Sequence, residues 1–465
     1  MLLYILGILI IVVGLAVSIG LHEIGHLVPA KLFGVKVGQY MIGFGRTLWS
    51  FKRGETEYGF KMLPLGGYIS MSGMYPPAKP GGKAREASTG FFQTLVQDAG
   101  TPAVATRETD PDPQRGVFSS MVSDARDASA ATVTAGEEHR TFYQLPVYKR
   151  IIIMLGGPLM NLLIGIVLYA VLLMGFGAVQ ASTTIGSVNE CVIPASSTQT
   201  DCETGDQAAP GYEAGILPAD RIVSINGEAI TTWDQATAII RESPGEVLTM
   251  VVERDGTELT LRPEPLLTER YVYDDSNQPV EDSDGNPIVE SVGFLGIGTA
   301  SEVVKQPITA VLPTVGDNIG AVVHTIVNLP QRLIDIAQAA FGTEERDPNG
   351  PLSVVGVGRL AGEITSTESF PIADRAASLI GLVASLNVAL FVFNLIPLMP
   401  LDGGHVAGAL WEGIRRFFAK LFGRKDPGPV DTAKVVPLTF AVVIILGGMS
   451  ALLIYADIVK PITIQ

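Results

Sequence analysis

Charge is scarce in this sequence. Only 17 % of its 465 residues are Asp, Glu, Lys or Arg, against roughly 25 % in soluble proteins. Hydrophobic residues reach 47 % and the mean hydropathy is +0.35, so part of the surface is expected to face lipid. Cysteine is scarcer still. Two cysteines exclude a disulfide-dense scaffold and a four-cysteine zinc site. Basic residues are outnumbered, 32 against 47 acidic, for a net charge of −15. A phosphate-binding surface needs an excess of Lys and Arg, which excludes nucleic acid as the main partner. No internal repeat is evident, and the length predicts roughly three structural units.

Four apolar runs stand out. The first is MLLYILGILIIVVGLAVSIGLHEIGHLVPA, uncharged until His22-Glu23. It lacks the basic start and the cleavage site of a signal peptide and is long enough to span about 30 Å of hydrocarbon. The second runs from about Ile151 to Val179 behind Lys149-Arg150. The third, about Ala376 to Leu401, is softened by Asn387, Asn394, Pro397 and Pro400. The fourth is about Val435 to Tyr455. The expected fold is therefore a multi-pass α-helical membrane protein of about four transmembrane helices.

Loop charge predicts orientation. Residues 31–150 hold 15 Lys/Arg and residues 411–434 hold 6, whereas residues 177–375 hold 10 against 30 Asp/Glu. Lys/Arg flanking spans stay on the cytoplasmic side. The two basic loops are thus expected in the cytoplasm, and both termini with the acidic region outside. The organisation expected is a first span over 1–34 and a membrane-associated β-hairpin region over 35–75, from alternating, Gly-punctuated residues. A disordered insert, poor in aromatics, follows over 76–140. The second span falls in 141–180, a compact β-rich domain in 181–268, and an extension with amphipathic surface helices in 269–375. The third span falls in 376–410, a cytoplasmic loop in 411–434, and the last span with its tail in 435–465.

His22-Glu23-Ile24-Gly25-His26 carries the chemistry. On a helix, positions four apart lie one above the other. Both imidazoles then reach one metal ion, and Glu23 beside them can act on a metal-activated water as general base. The pattern arises by chance in roughly one chain of this length per hundred. Here, however, it places ionisable groups in an apolar span, where one carboxylate costs about 2.5–3.5 kcal/mol. Packing gives no reason to accept that cost. Zinc needs a third protein ligand. Of the other histidines, His139 lies beside the insert and His324 on the opposite side of the membrane. Asp402, in the segment NLIPLMPLDGGH ending at His405, reaches the depth of HEIGH from the same side. The reading is one zinc ion per chain held by His22, His26 and Asp402, with Glu23 catalytic.

These motifs, with GFG, LWS and GETEYGFKMLPLGGY in the first loop and YKRIIIMLGGPLMN before the second run, resemble the site-2 protease family. The closest type is the bacterial intramembrane zinc protease that releases sigma factors. The stretch AAPGYEAGILPADRIVSING resembles a PDZ domain, so the inserted domain is expected to be an extracytoplasmic, PDZ-like α+β domain. The resemblance implies a metalloendopeptidase of the cytoplasmic (inner) membrane that cuts within a transmembrane segment. Its partner would be a single-pass substrate of the anti-sigma-factor type, already trimmed by an upstream site-1 protease, with membrane lipid around it. It assigns Asn387 and Asn394 to the substrate's surroundings, and Gly43, Phe44 and Gly45 to a membrane-dipping hairpin that guides an unwound substrate. Arg46 departs from the Pro that often follows GFG. Cys191 and Cys202, both extracytoplasmic by topology, are expected to pair. Two other readings compete: a catalytically silent membrane scaffold binding partners through its PDZ domain, and a metal transporter. The intact Glu23 disfavours the first, and the concentration of polar residues at one depth disfavours the second.

Overall fold

The computed structural model describes residues 1–75, 85–88, 138–193, 201–272, 287–342, 350–367, 370–430 and 435–462, together with positions 197, 199, 280, 282, 346 and 347. Most of the insert expected over 76–140 lies outside the described residues. The chain divides into two compact units, Met1–Phe176 with Pro307–Gln465, and Gly177–Gln306.

The first unit is helical, with one sheet. Helix α1 (Leu2–Leu32) contains the first apolar run. Strands β1 (Val37–Arg53) and β2 (Thr56–Tyr75) follow, with a short β3 (Arg85–Ser88) beside β2. The two long strands fold over on themselves. Residues 37–42 pair with 67–71 on one flank and 57–60 on the other, and 49–53 pair with 56–60. Gly43 (φ +94°) and Gly45 (φ +84°) turn β1 between its two halves. A Cβ on Gly43 would also strike the Leu63 carbonyl at 2.7 Å. Arg140 clamps the β1–β2 turn by two hydrogen bonds to Glu55, at 2.8 and 2.6 Å. That guanidinium holds the Glu55 carboxyl below its ordinary range.

Helix α2 (Val147–Val171) ends in one π-helical turn, Leu172–Phe176. After the second unit come α5 (Val311–Val327), α6 (Leu329–Phe341), α7 (Val354–Ser366), α8 (Ile372–Asn394), α9 (Asp402–Leu421) and α10 (Val436–Val459). Among the described residues five helices are long and apolar enough to cross a membrane: α1, α2 with its π turn, Ile308–Val327, α8 and Pro437–Val459. The sequence reading expected four, with 303–366 lying on the membrane surface. The additional candidate, Ile308–Val327, falls where helices were expected but set on the surface, and Pro313, Asp317, Asn318 and His324 dilute its apolar run.

Packing explains how it fits. Gly165 meets Val388, and Gly381 meets Leu172, so α8 runs back along α2. Asn318 of α5 donates to Ser385 in the middle of α8 (3.3 Å). α7 lies on the first turns of α1, where Thr365 donates to the Leu3 carbonyl (2.8 Å), and Arg375 at the start of α8 donates to the Thr365 carbonyl (3.0 Å). The chain therefore leaves the end of α2 at residue 308 and is back at that same end by α7. Helices α5 and α6 together make one excursion that returns.

The second unit is a mixed domain. Its sheet runs β11–β4–β5–β7–β8 (Ile297–Val304, Ala178–Val188, Arg221–Ile225, Met250–Arg254, Thr257–Leu261), with β6 (Glu228–Ala229) on β5. A separate pair joins β9 (Leu266–Tyr271) to β10 (Val289–Phe294). One-turn helix α3 (Pro210–Glu213) precedes β5, and helix α4 (Trp233–Glu242) starts at a capping box in which Gln235 N–H donates to Thr232 Oγ1. This satisfies a first-turn amide that would otherwise lack a partner. Ile185, Ile222, Ile225, Ile240, Leu248 and Met250 fill the core. The unit extends past the boundary read at residue 268, because β11 completes the sheet by pairing along β4. Cys191 and Cys202 form a disulfide, with Cα atoms 5.9 Å apart.

Asp220, 1 % exposed, anchors the start of β5. It accepts from Arg254 Nε (2.6 Å), Arg254 Nη2 (2.7 Å) and the Leu217 amide (2.9 Å). Burial pushes its carboxyl up, but the guanidinium and the amide outweigh burial and hold it below the usual range.

Candidate metal centre

The C-terminal third of α1 carries both histidines and is pressed against α2. The two helices touch backbone to backbone: a Cβ on Gly25 would lie 2.2 Å from the Gly156 carbonyl oxygen, and one on Gly156 would lie 2.0 Å from that of Gly25. Small residues allow this approach, the usual means of helix contact where lipid supplies no hydrophobic drive. His26, fully buried, donates from Nδ1 to the Ile153 carbonyl (2.7 Å). Its Nε2 then points away from α2's backbone and toward His22.

Asp402 reaches the same point from the start of α9. The segment before it is irregular, and Gly403 and Gly404 let it double back. A Cβ on Gly403 would lie 2.3 Å from the Ile396 carbonyl oxygen, and one on Gly404 would lie 2.6 Å from the Met399 amide nitrogen. Such backbone is tolerated at membrane depth only inside protein. Asp402 is 5 % exposed, and its Oδ2 makes no hydrogen bond.

The three side chains converge. His22 Nε2 and His26 Nε2 are 3.2 Å apart, and each is 3.3 Å from Asp402 Oδ2. A tetrahedral ion with bonds of about 2.0–2.1 Å needs donor atoms about 3.3–3.4 Å apart. Three unprotonated donors this close repel unless a cation lies between them. The space is there: a Cβ on Gly157 would fall 2.2 Å from His26 Nε2 and 2.7 Å from His22 Nε2. The donor set therefore fits zinc, with one face open beside Gly157. No other group of three or more His, Cys, Asp or Glu able to hold a metal occurs among the described residues.

Glu23, 5 % exposed, flanks the histidines. The sheet closes over it. A Cβ on Gly67 of β2 would stand 3.0 Å from Glu23 Cγ, and Tyr40 of β1 donates to the Gly20 carbonyl (2.8 Å). Strand residues 37–42 and 67–71 are thus set against the Glu23-bearing face of α1.

The other residues singled out from the sequence are more dispersed. Phe44 is 6 % exposed and stacks on Tyr68 at 6.5 Å, so it is a core side chain of the sheet. The exposed tip lies further along, where Trp49 stacks on Phe60 beside Leu48, Met62 and Leu63. Asn387, 1 % exposed, spends both amide hydrogens on Ser18 Oγ (2.9 Å) and the Val383 carbonyl (2.8 Å). Its place is the α1–α8 contact. Asn394 closes α8 and is half-buried. His405 stands one turn beyond Asp402, lining a small cavity with Arg150 and Glu412. Arg150 and Glu412 form a buried ion pair between α2 and α9. Sequence reasoning passed over Gly157 and Asn161. The signal was there, since GGPLMN interrupts an apolar run with two glycines and an amide.

A profile of Peptidase family M50 matches residues 10–425. The chain is 30 % identical to Zinc metalloprotease Rip1 of Mycobacterium tuberculosis over 99 % of its own length and 98 % of that protein's. It is 25 % identical to Metalloprotease MmpA of Caulobacter vibrioides, covering 88 % of each. Zinc metalloprotease RasP of Bacillus licheniformis is also 25 % identical, over 85 % of this chain and 87 % of its own.

Proposed function

The chain belongs to Peptidase family M50, the site-2 proteases, and is a zinc metalloprotease of the membrane; from that premise we propose that it cuts a single-span membrane protein inside or beside its transmembrane segment. His22, His26 and Asp402 hold the zinc ion and Glu23 is the general base. The observation that carries this reading is the triangle of donor atoms with sides of 3.2, 3.3 and 3.3 Å.

Bound there, zinc would polarise the scissile carbonyl and lower the pKa of the attacking water toward about 7. The chain's own groups do the rest. Glu23, buried beside the histidines, takes the proton from the water and delivers it to the departing amide nitrogen. The Asp402 carboxylate offsets the ion's charge. Gly157 leaves the open face on which a peptide approaches.

A transmembrane helix hides each carbonyl in its own hydrogen bonds, so a substrate must unwind before attack. Residues 37–42 are paired on both sides, so an unwound stretch would be received by strand addition at 67–69, beside α1 at Gly67 and short of the β3 pairing that begins at Ser70. The exposed Trp49, Phe60 and Leu63 tip suits a hairpin that dips into lipid. Asn394 would contact the substrate. Asn387, its donors already engaged, serves as a helix contact.

By this reading α1, α2, α8 and α10 are full passes, and α5 with α6 returns to the side it left. The basic loops face the cytoplasm, and the second unit is an extracytoplasmic, PDZ-like domain that admits substrates of the anti-sigma-factor type after a first protease has trimmed them. A silent scaffold has no use for Glu23 in this position. Expressing Glu23→Gln in the source bacterium tests the substrate reading. Trimmed single-span fragments should accumulate in its membranes. Accumulation of soluble or multi-span proteins alone would overturn it.

A further inference from the structure

Helix α2 supplies no ligand, yet one of its side chains lies a single hydrogen bond from the metal centre. Asn161 is 1 % exposed, and its Nδ2 is 3.1 Å from His22 Nδ1. Its Oδ1 is buried and has no hydrogen-bond partner.

Ligation fixes what Asn161 must offer. An imidazole nitrogen binds a metal through its free lone pair, so the ring's proton moves to the other nitrogen. The atom of His22 that faces His26 Nε2 and Asp402 Oδ2 is Nε2. With Nε2 as the ligand, Nδ1 carries the proton and becomes a donor. An amide NH2 cannot accept from it, but the amide oxygen can. A half-turn about the Cβ–Cγ bond exchanges the two ends of the Asn161 amide. It gives Nδ1–H its acceptor and takes Oδ1 out of a position where it is buried and unpaired.

The arrangement repeats along the helix. His26 already donates from Nδ1 to the Ile153 carbonyl (2.7 Å). Ile153, Gly157 and Asn161 are spaced by four and so lie on one stripe of α2. His22 and His26 are spaced by four on α1. One end of the stripe serves His26, the other serves His22, and the bare Gly157 between them leaves room at both Nε2 atoms.

Resting on the zinc-ligand reading above, we propose that Asn161 is a positioning residue for the metal: its Oδ1 accepts from His22 Nδ1–H and holds Nε2 toward the ion. Removing such an outer partner typically weakens metal affinity by about 10- to 100-fold.

The test is zinc affinity of the full-length protein in detergent, measured by chelator competition, with the visible spectrum of the cobalt(II)-loaded form alongside. Asn161→Ala and Asn161→Leu should bind zinc about 10- to 100-fold more weakly and alter the cobalt bands. Asn161→Asp keeps an acceptor in place and should bind within a few-fold of the parent. Unfolding of the metal-free variants reads any purely structural role. Asn161→Ala binding zinc like the parent would overturn the proposal, as would Asn161→Asp losing as much as Asn161→Ala, or a loss that merely tracks lowered metal-free stability. His22→Ala separates the two failures: unchanged zinc affinity there removes the ligand assignment on which the proposal rests, whereas a loss there with none in Asn161→Ala removes only the role of Asn161.

Discussion

A Cβ on Gly157 would lie 2.2 Å from Nε2 of His26, so the bare backbone at that point borders the candidate metal site. Gly157→Ala is expected to lower zinc affinity by at least about tenfold, the scale seen when an outer partner of a ligand is lost, and to abolish cleavage. Both helices should still insert. Gly175→Ala is the control, because a Cβ there meets nothing within 4 Å. Equal zinc content in the two variants would show that the space at Gly157 is not used.

Glu23→Gln keeps the size of the side chain and removes the proposed base. Zinc content should stay at the level of the unaltered protein, while cleavage of a model membrane substrate falls by about 10²–10⁴-fold, the usual contribution of a positioned acid–base group. Residual activity within a few-fold of the parent would mean that the proton goes elsewhere.

Removing the metal with a chelator should stop cleavage, and added zinc should restore it. Asp402→Asn keeps one oxygen but loses the charge that offsets the ion. It should need far more zinc for the same restoration. A full activity titration superimposed on that of the parent would remove Asp402 from the ligand set.

Acid should loosen the second unit through Asp220. Its carboxyl is held below the usual range, so it stabilises the fold while ionised. That contribution is complete above the ordinary carboxylate pKa of about 4 and drains away as pH falls through the lowered value. Amide protection factors at β5 and β7, which correct for the intrinsic pH dependence of exchange, should therefore fall on acidification below about pH 4. Asp220→Asn should exchange faster at neutral pH and respond less to acid. An unaltered acid response in that variant would assign the effect to another group.

The disulfide closes a loop of sequence separation 11. Reduction should cost the second unit about 2–3 kcal/mol by chain entropy while leaving zinc content unchanged. Hydrogen exchange around β4 and β5 before and after reduction reads the first, and metal analysis reads the second.

The meeting of His22, His26 and Asp402 was legible because a metal site dictates residue types and helical spacing: HEIGH offers two imidazoles one turn apart, and Asp402 is a charge in an irregular segment. The glycines were less so. In an apolar run GGPLMN reads as helix packing, and nothing in it says that Gly157 faces two imidazoles. That depends on where α2 crosses α1, which is set by the Gly25–Gly156 contact. The role of Asn161 was hidden for the same reason. The helicity of Ile308–Val327 was legible, but its packing partner was not. Asn318 in fact spends its amide on Ser385 inside the bundle. Phe44 was read as part of an exposed guide, because the local pattern does not reveal that β1 folds over and buries the ring against Tyr68.

Helix α2 offers no side chain to the candidate metal site, but each of the three residues that form it is aligned against this helix: His26 through the Ile153 carbonyl, His22 beside Asn161, and the arm bearing Asp402 through the Arg150–Glu412 pair. It works as the jig on which the centre is assembled. Random mutagenesis scored for lost proteolysis should therefore find a second hot stretch along 150–161, far in sequence from either signature, and an inhibitor that wedges α2 away from α1 would disarm the enzyme without ever touching zinc.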